Sequence, residues 1–148
     1  MLLRPMAVTM LLMFSVVPGR SDTDTDQLKQ FGMLGSWAID CKQPPSRANP
    51  YMMFDRSGGG PTRVLKTDDP KLDGTFRVRA VKILDDHRIQ METDNAAKTI
   101  STVVVVQKSG NTIQTVHSEG NGRVYIQDGH FAEGSRAATP TFTRCSAQ

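Results

Sequence analysis

Alternation of apolar and polar positions dominates the chain. In residues 36–41, Trp37, Ile39 and Cys41 fall on one face and Ser36, Ala38 and Asp40 on the other, the period-two pattern of a half-buried strand. The same period returns in 75–84, where Phe76, Val78 and Ala80 stand opposite Arg77 and Arg79. Val81 and Ile83 then take over as the apolar set, so the phase slips and a β-bulge is expected near Ala80-Val81. Residues 88–93 place Ile89 and Met91 inward, and the β-branched run Val103-Val104-Val105-Val106 predicts a buried strand. Further strands are expected at 112–118, 123–126, 130–132 and 141–145.

Turn signals separate nearly all of these runs. Ser57-Gly58-Gly59-Gly60-Pro61 joins Tyr51-Met52-Met53-Phe54 to Thr62-Arg63-Val64-Leu65 as a hairpin. Ser109-Gly110-Asn111 and the stretch 119–122 make two more, and Asp128-Gly129 is the strongest two-residue hairpin signal in the chain. Residues 42–50 form a loop stiffened by Pro44, Pro45 and Pro50. The pattern predicts an all-β fold, an antiparallel meandering barrel of eight to ten short strands, with a β-sandwich as the alternative. Sequential hairpins favour the barrel, whose closure also removes exposed edges.

Ahead of the strands the pattern changes. Arg4 followed by an apolar run over 6–17, with Val17 and Gly19 spaced for cleavage, predicts an export signal at 1–19. That run is shorter than the roughly 18–20 residues of a spanning helix, so no membrane span is expected in the mature chain. Residues 20–34 are read as a polar linker and one short helical turn at 27–31, with Leu28 and Phe31 on one face. Asp22, Asp24 and Asp26 imitate the start of a calcium loop, but Gln27 stands where its glycine belongs and Met33 where its closing glutamate belongs. A single domain then occupies 35–148.

Charge and cysteine content narrow the class. The formal net charge is +3, with bases dispersed among acids, so the basic stripe of a nucleic-acid binder is missing and no such partner is expected. The two cysteines, Cys41 and Cys145, are an even number in an exported chain and are expected to form a structural disulfide, which places the protein in the periplasm or outside the cell. Their spacing is unlike a zinc site. If the end strands were antiparallel neighbours with Trp37 beside Arg144, Cys41 would lie about 13 Å along the sheet, beyond disulfide reach. Either the Trp37–Arg144 pairing fails, or Cys145 lies in a tail that folds back, or the end strands run parallel; an odd strand count with parallel ends resolves the conflict most simply.

Candidate chemistry is sparse. His87, His117 and His130 lie in or beside different turns and no carboxylate pattern completes a metal site. The glycines at 58–60 lack the lysine-serine pair and following helix of a phosphate loop, and no nucleophile motif accompanies the histidines. No enzyme activity, cofactor or metal is therefore expected. Arg77, Arg79, Lys82 and Arg88 read as a solvated outer face. Tyr51-Met52-Met53-Phe54 is apolar on both faces, which predicts either a ligand or partner surface or cover by the proline loop.

Gly35-Ser36-Trp37 behind a helical turn resembles the lipocalin and calycin group. That resemblance implies a Trp at the closed end of a barrel, a basic residue of the last strand (here Arg144) packed across it, and a ligand held inside. Trp37-Ala38-Ile39-Asp40-Cys41, Pro44-Pro45, Asn49-Pro50 and Arg144-Cys145 together are also similar to a group of small exported bacterial proteins, which implies localisation and fold but no activity. The expected function is binding of a small apolar or amphipathic ligand, with Trp37, Tyr51, Phe54, Tyr125 and Arg144 as candidate ligand residues. The alternative is a protein-interaction module, such as a hydrolase inhibitor or an envelope- or host-facing factor, that docks through loop 42–50; on either reading the chain is expected to be a monomer.

Overall fold

The computed structural model describes residues 20–57 and 59–147, so the export segment expected at 1–19 lies outside the described residues. Among the described residues, one helix, α1 (Arg20–Phe31), precedes ten strands in a single antiparallel sheet. The first seven are β1 (Gly35–Ala38), β2 (Tyr51–Ser57), β3 (Gly60–Lys66), β4 (Gly74–Ile83), β5 (Arg88–Asn95), β6 (Ser101–Ser109) and β7 (Thr112–Gly120). They meander in chain order, and β10 (Thr141–Ala147) pairs with both β1 and β7, which closes an eight-stranded barrel. The short strands β8 (Arg123–Gln127) and β9 (His130–Phe131) stay outside that ring.

Strand β7 has two partners. Its first residues, Thr112 to Gln114, pair with β10, while Ser118 to Gly120 pair with β8. The β8–β9 hairpin therefore hangs as a flap beside one end of the barrel. Its turn is Asp128-Gly129, with φ of 51° and 74°, the left-handed pair that a two-residue type I′ hairpin requires. Thr139 ties the flap down: its hydroxyl donates to the Thr115 carbonyl at 2.7 Å and its N–H donates to the Gly129 carbonyl at 2.8 Å.

The helix is longer than the single turn expected, and the reason is tertiary. Strand β4 runs past the end of its pairing with β3 at Arg77, leaving Val81 N–H without a strand partner on that side. Asp24, only 4% exposed, accepts that N–H at 2.9 Å. The aspartate read as part of a solvated linker thus covers a sheet edge, and the helix lies across β3 and β4. The helix stops in a Schellman motif: Gly32 takes φ +74°, its N–H donates to Lys29 and Met33 N–H to Leu28, with Leu28 and Met33 fully buried together.

Side chains from α1 and the inward faces of the strands make one core, with Phe31, Trp37, Phe54, Ile89, Met91 and Val106 among its members. The expected phase slip in β4 is a register shift between Val78 and Ala80, after which Val81 faces in. Of the four-valine run, Val104 and Val106 are buried and Val103 and Val105 sit half-buried on the outer face, so that strand is one-sided, contrary to expectation.

The seam between first and last strands resolves the disulfide conflict differently from the odd-strand solution. The ring is even, β1 and β10 are antiparallel, and Trp37 does pair with Arg144. Strand β1 ends at Ala38, three residues before Cys41. The chain bends away at Ile39, which is 42% exposed, and turns so that Cys41 comes back over the outer face of β10. There it bonds Cys145 with the Cα atoms 5.3 Å apart. Trp37, Ile39 and Cys41 consequently do not share a face. Gly35 is required at the same seam: it holds φ +118°, and a Cβ there would stand 2.0 Å from the Ser146 carbonyl oxygen.

Candidate functional site

The two ends of the barrel differ. At the closed end, Trp37 is fully buried and donates through Nε1 to the Met33 carbonyl at 2.9 Å. The Arg144 guanidinium lies over the indole, 4.5 Å from its ring centroid, and donates to the Gly32 carbonyl at the end of α1. Helix, indole and guanidinium form a plug. The packing that Gly-x-Trp and a terminal-strand arginine imply is present.

Past this plug the interior is not filled. A pocket of about 280 Å³ opens there, beneath the flap. Val104 and Phe142, both buried, border its deep side, and Met52 and Leu65 form one wall. Thr115 and Ser118 of β7 face them, and Ile126 and Phe131 of the flap form the rim, with Phe131 43% exposed. Larger clefts exist on the outer surface, one of about 440 Å³ between Asp24, Arg77, Arg79, Asp94 and Lys98. In that cleft Arg79 pairs with Asp94 at 2.9 Å.

One wall residue of the interior pocket is charged. Arg63 pairs in register with Phe54 and Phe76, both of which place it on the inward face of β3. Its guanidinium stacks on the Phe76 ring at 4.7 Å. Its Nε is sealed from solvent and has no hydrogen-bond partner, although the residue as a whole keeps some access through the mouth. Desolvation pushes its pKa down to about 10, so it remains a cation at neutral pH. A neighbouring interior polar pair is satisfied by contrast: the hydroxyls of Thr93 and Thr102 bond each other at 2.7 Å.

None of the five residues expected from sequence lines this pocket. Trp37 and Arg144 form the plug, Trp37 pairing in register with Met52 of the pocket wall, and Phe54 is buried in the core. Tyr51 points outward, its hydroxyl donating to the carbonyls of Gln43 at 2.9 Å and Cys41 at 3.2 Å, so the proline loop does cover that face of β2. Tyr125 is on the outer face of β8 beneath Arg123, 5.5 Å away. The histidines are dispersed, His117 beside Glu119 at 3.5 Å and His130 against the Asp128 carbonyl at 2.9 Å. Among the described residues no group of three His, Cys, Asp or Glu could hold a metal, and no helix is long and apolar enough to cross a membrane.

Arg63 carried a sequence signal that the strand reading missed. Ser57 pairs with Gly60, so the strands stay paired up to those residues and are not separated by the five from 57 to 61. That register puts residues 54 and 63 opposite each other, hence Arg63 on the face of Phe54. Comparison with known proteins returned no matching family model, no matching curated protein and no matching solved structure.

Proposed function

We propose that this chain is an exported binding protein that holds a small apolar or amphipathic molecule in the open half of its barrel, as the lipocalin resemblance implies. The observation that carries this reading is the 280 Å³ pocket between β2–β3 and β6–β7, just under the roughly 300–1,000 Å³ usual for small-molecule sites. An eight-stranded barrel can be filled by its own side chains or keep room for one ligand. Here Trp37, Ile89, Met91 and Val106 fill part of the interior, and room is left beside Met52, Val104 and Phe142. The disulfide supports residence in an oxidising compartment, the periplasm or the exterior.

The test is to fill the pocket. Anilinonaphthalene sulfonate, an apolar fluorophore with one anionic group, is expected to bind the wild type with enhanced emission. Ser118→Phe, which projects a ring into the pocket, is expected to abolish that enhancement while far-ultraviolet circular dichroism stays unchanged. Undiminished emission from a folded Ser118→Phe would sink the interior site.

A second reading, docking of a protein through loop 42–50, has one observation in its favour. Asn49, 7% exposed, accepts from Asp40 N–H and donates to the carbonyls of Asp40, Gln43 and Pro44. The loop is thus held in one shape while Lys42, Gln43, Arg47 and Ala48 remain exposed, which lowers the entropy lost on docking.

A further inference from the structure

Resting on the reading that the pocket holds a ligand, we infer that its occupant is an amphipathic carboxylate, an apolar body of modest size whose head group pairs with Arg63. Arg63 is a charge with no counterpart. Buried cations are ordinarily paired, because removing one from water is costly unless an anion or acceptors replace the lost solvation. Arg63 has neither: its Nε is enclosed without an acceptor, and no carboxylate of the described residues forms an ion pair with it. The Phe76 ring covers one face of the guanidinium and supplies no hydrogen bond. A group of this kind on the wall of an apolar pocket is a hydrogen-bond donor that an acceptor atom of a ligand would satisfy.

The surroundings set the ligand's chemistry. Met52, Leu65, Val104 and Phe142 present hydrocarbon, so the body must be apolar. The guanidinium fork matches a carboxylate in bidentate geometry. One cation balances one negative charge, whereas a phosphate monoester would leave most of a second charge uncompensated in a low-dielectric site. A cationic head is excluded by repulsion, and a neutral alcohol leaves the charge without a counter-ion. The desolvation that lowers the Arg63 pKa to about 10 leaves it protonated across the physiological range, so the anchor is always on.

Calorimetric titration of the full chain with octanoate, octanol and octyl phosphate tests this. Wild type is expected to bind octanoate tighter than octanol by about tenfold to a hundredfold, the range of a charge-assisted hydrogen bond. It is also expected to bind octanoate tighter than octyl phosphate. Arg63→Met is expected to lose the octanoate preference while still binding octanol, and Arg63→Lys to recover part of it. Melting curves check that both variants are folded; Arg63→Met should melt no lower than wild type, since it removes a buried unpaired charge. Equal binding of octanoate and octanol by wild type, or tighter binding of octyl phosphate, overturns the carboxylate anchor but leaves the pocket as a ligand site. Failure of wild type to bind any of the three overturns both.

Discussion

Replacing Cys41 and Cys145 together by alanine is expected to lower the unfolding free energy by on the order of 4–5 kcal/mol. The bridge spans a sequence separation of 104 residues, nearly the entire barrel. Cross-linking so long a loop removes much of the unfolded chain's freedom, and the loss of that constraint is comparable to the whole stability of a small domain. Location adds to the effect. The disulfide sits at the β10–β1 seam, where β1 contributes only four residues and the register is interrupted between Ser36 and Trp37. Cys41 lies past the end of β1, so no ladder hydrogen bond would hold its segment to β10 once the sulfurs are gone. Urea unfolding of the double variant, followed by circular dichroism, should show a midpoint far below that of wild type, with reduction of wild type producing a similar shift. A change under about 1 kcal/mol would mean that the seam is held by packing alone.

Trp37→Ala is expected to cost about 3–5 kcal/mol, the range for deleting a large buried aromatic. Three things are lost together: the packing of a fully buried indole, the acceptor's partner at Met33, and the surface on which Arg144 lies. The milder Trp37→Phe keeps most of the packing but leaves the Met33 carbonyl unsatisfied, for about 1–3 kcal/mol. Because Trp37 does not itself line the pocket, Trp37→Phe should leave binding of anilinonaphthalene sulfonate unchanged while chemical denaturation moves to lower urea. Loss of binding with stability intact would instead place Trp37 in the ligand site.

That separation marks where the sequence could be followed and where it could not. Period-two alternation and turn chemistry are local properties, so the barrel, the β4 bulge and the Asp128-Gly129 hairpin could be read directly. The disulfide followed from there being only two cysteines. The pocket did not follow, because strand pairs across a barrel are set by closure, and a single-residue error in one turn reverses which side chains face inward. In the β2–β3 connection that error hid Arg63. Trp37 and Arg144 drew attention as rare or motif-like residues, yet such residues serve closure here. Asp24 was misplaced for a similar reason: its partner, the Val81 N–H, is 57 residues away and is exposed only because β4 outruns β3.

The most direct test of the account is native mass spectrometry of the protein recovered from the cells that make it, without detergent. Wild type should carry a small-molecule mass increment that is released on gentle activation, and Ser118→Phe purified in parallel should carry none. A bare protein in both preparations, or an increment the size of a second protein, would contradict an interior ligand site.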